Sequence, residues 1–135
     1  MKKFTSNNQK IGKLGEDIAC IYLQKHGFKV LERNYTKKWG EIDIIASKDN
    51  KFYFIEVKSV SCETLPDFSQ NTHSDMKRPE ENMHLWKMKR LSRTVQTYLI
   101  HNRIGDTPWQ FDLALVYLCL KDRKARVRMI ENVIL

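Results

Sequence analysis

Apolar residues recur at helical spacing in two segments of the chain. In Ile11–His26 the apolar positions fall on one side of a helix, and Gly27 follows where a left-handed C-terminal cap is expected. In His84–Asn102 a second apolar stripe repeats at the same spacing. The pattern therefore predicts two amphipathic helices, each with one face packed on another part of the fold.

Short runs of β-branched and aromatic residues lie between and after these helices, and turn residues separate them. The runs predict strands at Phe28–Tyr35, Glu41–Ser47, Lys51–Val60, Trp109–Leu120 and Ala125–Val133. The order of elements is then α-β-β-β-α-β-β. This order predicts an α/β domain with a mixed central sheet and flanking helices.

Two segments lack such periodicity. Residues 1–10 are polar and predict a flexible N-terminus, and Ser61–Met83 predicts a long loop. Loops of this length in compact domains are usually functional or disordered. The chain has 135 residues, of which 41% are hydrophobic, so we expect one domain over residues 1–135 with a substantial core.

Net charge, cysteine spacing and the length of apolar runs indicate which kinds of partner and which cell compartment to expect. The net charge of +8 favours anionic partners, of which nucleic acid is the commonest, although a merely soluble basic protein stays open. The three cysteines are widely spaced, which predicts reduced thiols, with Cys20 and Cys119 in the core. The polar start and the shortness of the longest apolar run, Leu113–Leu120, predict a cytoplasmic protein without a membrane partner.

Charged residues interrupt the second and third predicted strands. Asp43 lies among isoleucines, and Glu56 and Lys58 lie two residues apart in the apolar third strand. The short turn Lys48–Asn50 makes these strands antiparallel neighbours. Strand alternation then places Asp43 and Glu56 close together on one side of the sheet. Acids in such apolar strands are costly to bury without compensation.

A divalent cation would provide this compensation. Two adjacent carboxylates repel unless a cation lies between them, and oxygen ligands select a hard ion such as Mg²⁺ or Mn²⁺. Lys58 could then orient a water nucleophile or stabilise charge on a phosphoryl group. The alternative is a simple ion pair of Lys58 with Asp43 or Glu56 at a sheet end.

The motifs around these residues resemble those of the PD-(D/E)XK nuclease superfamily. Within it, the chain is most similar to the YraN-type bacterial family, described as predicted endonucleases related to archaeal Holliday junction resolvases. The likeness extends over nearly the whole chain. Its motifs are Gly12-x-x-Gly15-Glu16, Gly40-Glu41-Ile42-Asp43-Ile44-Ile45-Ala46, Phe54-Ile55-Glu56-Val57-Lys58, Arg78-Pro79, Lys89-Arg90-Leu91 and Phe111-Asp112.

The resemblance implies a restriction-endonuclease-like three-layer fold and a role for each matching residue. Asp43 and Glu56 are expected to bind the metal, with the backbone carbonyl of Val57 as a further candidate ligand. Lys58 resembles the catalytic lysine. Glu16 resembles the helix-borne acid that assists the metal site, and the alternative for it is a surface acid near a helix N-terminus.

The sequence departs from the superfamily pattern at three places. Ile42 stands where the superfamily name expects proline, although YraN-type sequences commonly share this. Ser59-Val60 follows the lysine where an arginine is frequent, and Gln110 precedes Phe111 where arginine is common. The last two departures affect expected phosphate contacts and leave the acids and Lys58 intact.

Further residues are candidates for contacts with nucleic acid. The basic positions of the second helix are Lys87, Lys89, Arg90 and Arg93. They could contact a phosphate backbone, with Lys89 favoured because the resemblance includes it, or they could form an ordinary solvated helix face. Trp39 could stack on a base or pack on the sheet edge.

Three hypotheses of function follow. The leading one is a Mg²⁺- or Mn²⁺-dependent endonuclease that hydrolyses phosphodiester bonds in DNA, which is favoured over RNA, including branched or otherwise structured DNA. The second is a nucleic-acid-binding module with the same fold but little or no catalysis. The third is an assembly protein that binds a protein partner through the long loop. Resolvase-like nucleases are often dimers, so a homodimer is also open.

Overall fold

The computed structural model describes residues 7–66 and 85–135. These residues form two helices, α1 (Asn7–Lys25) and α2 (Leu85–His101), and five strands: β1 (Lys29–Lys37), β2 (Gly40–Lys48), β3 (Lys51–Ser61), β4 (Trp109–Cys119) and β5 (Lys124–Ile130). The predicted order of elements is confirmed. Helix α1 begins at Asn7, four residues before the predicted start, so residues 7–10 are helical rather than part of a flexible terminus.

The predicted long loop is described only at its beginning. Strand β3 continues through Ser61, and residues 62–66 form neither helix nor strand. The rest of the predicted loop, with Arg78-Pro79, lies outside the described residues, and so does His84, the predicted start of the second helix. None of the helices in the described ranges is both long and apolar enough to cross a membrane.

The described strands form one mixed sheet in the order β1-β2-β3-β4-β5. Strands β1, β2 and β3 are antiparallel neighbours, and β4 and β5 are also antiparallel. Strand β4 runs parallel to β3, and α2 lies between them in the chain. Parallel strands need such a crossover connection, which explains why a helix follows β3.

The two helices cover opposite faces of the sheet. Helix α1 contributes Ala19, Cys20 and Leu23 to a buried cluster with β2, β3 and β4. Helix α2 contributes Leu91, Val95 and Tyr98 to a second buried cluster with Ile45, Phe54 and Phe111. The result is a three-layer α/β/α arrangement, consistent with the restriction-endonuclease-like fold that the resemblance implied.

The cysteines agree with the sequence prediction. Cys20 and Cys119 are buried, Cys62 is partly buried, and all three are free thiols.

Local chemistry fixes the turns that position the strands. Gly27 has a φ of +86°, and its N–H bonds to the Gln24 carbonyl while the Phe28 N–H bonds to the Leu23 carbonyl. This pair of bonds is a Schellman cap, so the predicted left-handed cap at Gly27 is confirmed.

The hairpin between β2 and β3 closes through a two-residue turn. Asp49 and Asn50 have φ values of 51° and 61°, and Lys48 pairs with Lys51. Two central residues with positive φ are the mark of a type I′ turn, whose twist matches that of the flanking strands.

The ladder between β2 and β3 ends before the strands do. It runs from Lys48↔Lys51 to Ile44↔Ile55, and the next positions, Asp43 and Glu56, are no longer a ladder pair. Simple alternation places Ile42 on the same face as Ile44. Ile44 instead packs in the cluster under α1, and Ile42 packs in the cluster under α2. This end of β2 stays paired with β1 through Arg33↔Ile44 and Tyr35↔Ile42, and Asn34, between these two partners, has a φ of 53°.

Candidate metal centre

The three acids singled out in the sequence come from α1, β2 and β3 and meet where the β2–β3 ladder ends. Asp43 is the central member, and its Oδ2 accepts a hydrogen bond from the Val57 backbone N–H at 2.8 Å. This bond takes the place of the ladder pairing that stopped one residue earlier. Glu16 and Glu56 each interact with the Asp43 carboxyl by a side-chain hydrogen bond.

A glycine brings Glu16 to this point. A Cβ atom at Gly15 would collide with the side chain of Ser59 on β3, so only glycine allows α1 to lie this close to the sheet. The next residue, Glu16, is thereby placed beside Asp43. Arg33 of β1 lies near the Glu16 carboxylate, with 3.8 Å between Nη2 and Oε2. Glu16 therefore belongs to the acid group rather than being an isolated surface acid.

Burial raises the pKa of all three acids, and crowding of negative charge adds to the rise for Glu16 and Asp43. Burial, followed by the charge of Asp43, raises the pKa of Glu16 to about 7. Burial, followed by the charge of Glu56, raises the pKa of Asp43 to about 7. Burial also raises the pKa of Glu56, and the ammonium of Lys87 opposes that rise. In the absence of a further cation, the carboxyls of Glu16 and Asp43 are therefore partly protonated near neutral pH.

Two lysines provide positive charge at this end of the sheet. Lys87 of α2 lies with its Nζ 3.6 Å from Glu56 Oε1. Lys58 lies two residues after Glu56 on β3, and its charge also lowers the pKa of Glu56. Glu56 therefore forms its ion pair with Lys87 and not with Lys58. The sequence had left open an ion pair between Lys58 and Glu56 as the alternative to a metal site.

An open cavity of about 330 Å³ gives access to the acids. Its lining residues include Asp43 and Glu56 from the sheet and Lys87 and Arg90 from α2. Carboxylates therefore form one wall and basic side chains form the other. A phosphodiester between these walls would meet cations on both sides if a metal ion were bound to the acids.

The acids offer a bound metal ion few protein ligands. In residues 7–66 and 85–135, no group of three or more His, Cys, Asp or Glu side chains is placed to hold one metal ion together. The acids adjoin instead in pairs, Glu16 with Asp43 and Asp43 with Glu56. Mg²⁺ commonly binds through one or two carboxylates and keeps several waters and substrate phosphates as its other ligands. The pair Asp43–Glu56 fits that requirement.

The basic residues predicted on α2 have different surroundings. Lys87 and Arg90 line the cavity, whereas Lys89 is exposed on the helix and is not among its lining residues. Arg93 lies over the ring of Trp39 with its Cζ 4.2 Å from the ring centroid, and Arg90 Nε donates to the Trp39 carbonyl at 2.6 Å. Trp39 is therefore held against α2, with one face of its ring covered by Arg93.

The motif glycine Gly40 has a packing role. A Cβ atom at Gly40 would lie 2.6 Å from Thr94 Oγ1 and 3.3 Å from the Arg90 carbonyl oxygen. The start of β2 can therefore lie directly on α2. Together with Gly15, this glycine allows both helices to approach the end of the sheet where the acids meet.

Asp112, in the last matching motif, is away from the cavity. It is almost fully buried, and its Oδ1 accepts hydrogen bonds from Gln110 Nε2 at 2.7 Å and from the Asn132 backbone N–H at 3.0 Å. Gln110, one of the departures from the superfamily pattern, is thus a partner of Asp112. This pair fixes the end of the chain against β4.

Sequence reasoning missed two contacts of the site. Arg33, which lies beside Glu16 and bonds Asp17 at 2.8 Å, was not singled out, because nothing local marks an arginine on an edge strand as a partner of a helix. The contact of Lys87 with Glu56 was also missed, although Lys87 itself was a candidate.

The comparison with known families agrees with the motifs. The family model described as "Uncharacterised protein family UPF0102" matches residues 15–116, a span that holds the acids, Lys58 and the described cavity residues. The chain belongs to UPF0102. UPF0102 is the YraN-type family that the motifs indicated, so that part of the resemblance is confirmed.

Individual UPF0102 proteins are similar over most of their length. One from Alkaliphilus oremlandii is 33% identical over 125 residues, which cover 93% of this chain and 97% of the relative. One from Campylobacter jejuni is 39% identical over 111 residues, with 82% of this chain and 83% of the relative covered. One from Clostridioides difficile is 37% identical over 115 residues, with 85% and 91% covered.

Proposed function

We propose that this UPF0102 protein is a metal-dependent endonuclease of the PD-(D/E)XK superfamily, related to the Holliday junction resolvases, that hydrolyses phosphodiester bonds in DNA, including branched or otherwise structured DNA. The observation that supports this most is the pairing of Asp43 with Glu56 at the point where β2 and β3 separate. Two acids with raised pKa values that open onto a cleft are typical of a functional site. The proposed cofactor is Mg²⁺ or Mn²⁺.

Each side chain has a defined part in the proposed reaction. Asp43 and Glu56 hold the cofactor, with the Val57 carbonyl as a further ligand, and Glu16 supports the site through Asp43. When bound, the ion supplies an activated water and neutralises charge on the phosphoryl oxygens. Lys58 orients that water or stabilises the charge that develops on the phosphate.

The overall charge is suited to such a substrate. The chain carries a net charge of +8, which favours association with the phosphate backbone. Lys87 and Arg90 place basic side chains directly opposite the acids. Because this attraction does not depend on base sequence, we expect recognition of backbone and shape rather than of a particular sequence.

The direct test is a cleavage assay with purified protein, Mg²⁺ or Mn²⁺, and a panel of linear, flapped, four-way and single-stranded DNA with RNA counterparts. We expect metal-dependent cleavage of DNA that is lost on chelation. Lys58→Ala is the matched variant, expected to bind DNA like the wild type and to cleave it far more slowly.

Two other outcomes would change the conclusion. Salt-dependent DNA binding without cleavage under any metal condition would favour the nucleic-acid-binding module over the enzyme. Neither binding nor cleavage of any nucleic acid in the panel would exclude both.

A further inference from the structure

Lys87 lies at a position where a bound metal ion would compete with it. Its Nζ is 3.6 Å from Glu56 Oε1, and the two side chains are 37% and 14% exposed. Glu56 is at the same time one of the two acids that fit the proposed cofactor. The Glu56 carboxylate thus has two potential cationic partners: the Lys87 ammonium from α2 and a metal ion from solution.

These two partners exclude each other by electrostatics. A divalent ion on Glu56 would lie within a few ångströms of the Lys87 ammonium, and like charges at that distance in a partly buried site repel strongly. Lysine has a flexible four-carbon stem, so the ammonium can leave Glu56 while the backbone of α2 stays in place. The metal-bound protein is therefore expected to have Lys87 turned away from Glu56.

The cavity offers one destination for the displaced ammonium. Lys87 lines the same open space of about 330 Å³ as Asp43 and Glu56. A phosphodiester ligated to the metal would place anionic oxygens in that space, and a lysine ammonium is a common phosphate partner. The three donor hydrogens of the ammonium allow such a contact without one fixed geometry.

We propose that Lys87 exchanges partners during binding: it pairs with Glu56 in the metal-free protein, and it binds a phosphate oxygen of the nucleic acid once the metal occupies Glu56. This inference rests on the proposed function. It assigns Lys87 to substrate binding and makes metal binding and nucleic-acid binding mutually dependent. The rival account is a permanent structural ion pair that orients Glu56 for the metal.

The first experiment is a calorimetric titration of Mn²⁺ into the wild type, Lys87→Met and Lys89→Met without nucleic acid. Lys89 is the matched control, because it lies two residues away on the same helix and is exposed outside the cavity. Partner exchange predicts that Lys87→Met binds Mn²⁺ more tightly, by about tenfold, within the range usual for coupled sites. Lys89→Met should bind like the wild type.

The opposite results overturn the proposal. A structural ion pair predicts that Lys87→Met binds Mn²⁺ more weakly, because Glu56 is no longer oriented. An unchanged affinity means that Lys87 does not compete with the metal. Thermal unfolding of each variant shows whether the fold is intact before these affinities are compared.

The second experiment measures binding of a DNA junction with and without Mn²⁺, in a Lys58→Ala background that slows turnover. Mn²⁺ should strengthen DNA binding more in the parent than after Lys87→Met, because only the parent gains a phosphate contact from the released ammonium. With a chelator present, Lys87→Met should bind DNA no more strongly than the parent, because it lacks one positive charge in the cavity. Equal strengthening by Mn²⁺ in both proteins contradicts partner exchange.

Failure of this inference can be separated from failure of the proposed function. If the wild type binds Mn²⁺ and cleaves DNA while Lys87→Met behaves like Lys89→Met, only the role of Lys87 is wrong. If the wild type binds neither metal nor nucleic acid, the proposed function is wrong and this inference falls with it.

Discussion

Strands β2 and β3 differ sharply between their two ends. At the turn end the ladder is continuous from Lys48↔Lys51 to Ile44↔Ile55. The charged groups there are exposed or have simple partners: Asp49 is exposed, and Lys48 Nζ donates to the His26 carbonyl at 2.8 Å. No carboxylates are brought together at this end in the part of the chain that the structure describes.

At the other end the same strands separate and hold charge in a buried position. Asp43 bonds the Val57 N–H instead of completing the ladder, and it lies beside Glu16 and Glu56. Burial raises the pKa of all three carboxyls, and mutual repulsion adds to the rise for Glu16 and Asp43. The fold thus keeps a cluster of carboxyl groups that disfavours ionisation at one end of an otherwise regular hairpin. Such clusters are typical of functional sites rather than of structural ones.

The largest effect is expected from removing charge at the buried end. Asp43→Asn should reduce DNA cleavage by more than the roughly 10–100-fold typical of losing a partner of a metal ligand, because the central ligand itself is altered. Asp49→Asn makes the same chemical change at the turn end, where asparagine also accepts the positive φ, and should leave cleavage unchanged. Equal rates for the two variants would contradict the assignment of Asp43.

The stability of the fold should depend on pH, because Asp43 and Glu16 have raised pKa values. Asp43 and Glu16 have pKa values of about 7 in the folded chain, so the folded state binds more protons than the unfolded state between pH of about 4 and 7. The stabilisation is therefore complete at low pH and is lost as pH rises through 7. Without metal, the melting temperature should fall on the order of 5 °C from pH 5.5 to pH 8.

Two comparisons sharpen the pH prediction. Asp43→Asn should flatten the pH dependence of the melting temperature, and Asp49→Asn should not. Metal binding should follow the opposite trend and strengthen from pH 6 to pH 8, because the ligands must lose their protons first. A melting temperature that rises with pH in both proteins would show that the acids are not buried as described.

The approach of α1 can be tested through its two glycines. Gly15→Ala should destabilise the fold by about 1–3 kcal/mol in urea unfolding, because its Cβ meets the Ser59 side chain, and it should weaken Mn²⁺ binding by moving Glu16. Gly12→Ala on the same helix has no described atom within 4 Å of its new Cβ, and it should be neutral or stabilising by up to about 1 kcal/mol.

A smaller side chain at position 59 would relieve the collision in Gly15→Ala and provides the matching control. The Ser59 hydroxyl is buried, and no described atom is a hydrogen-bond partner for it. Ser59→Ala should therefore be well tolerated alone and should restore part of the stability lost in Gly15→Ala. If the double variant is no more stable than Gly15→Ala, contact with Ser59 is not the reason for the glycine.

The smallest effect is expected at the turn. Asn50→Gly should stabilise the protein by up to about 1 kcal/mol, because glycine adopts the φ of 61° without strain. Metal affinity should not change, since the turn lies at the opposite end of the strands. A change in metal affinity would show that the two ends are coupled.

The fold could be predicted largely because its signals are local. Helical spacing, β-branched runs and the turn residues predicted each element, and the short turn made β2 and β3 neighbours. Alternation along these two strands was then enough to bring Asp43 and Glu56 together. Alternation does not describe Ile42, which packs under α2 although Ile44, two residues later, packs under α1.

The contacts of α2 could not be predicted in the same way. Which residue of a helix faces a given strand depends on how the helix packs across the sheet. Neither the sequence of the helix nor that of the strand contains this information by itself. Lys89 was favoured for a phosphate contact, which stays a prediction, and the contact of Lys87 with Glu56 was not predicted. Arg93 likewise packs on Trp39, a contact between residues far apart in the chain.

The central claim is that Asp43 and Glu56 form the metal site of a nuclease. Its most direct test is a calorimetric Mn²⁺ titration of the wild type, Asp43→Ala, Glu56→Ala and Asp49→Asn, repeated with a DNA junction present so that phosphate oxygens can complete the coordination. We expect the wild type and Asp49→Asn to bind Mn²⁺, and we expect both alanine variants to lose this binding. Binding that persists in Asp43→Ala and Glu56→Ala, or no binding by the wild type even with DNA, would contradict the central claim.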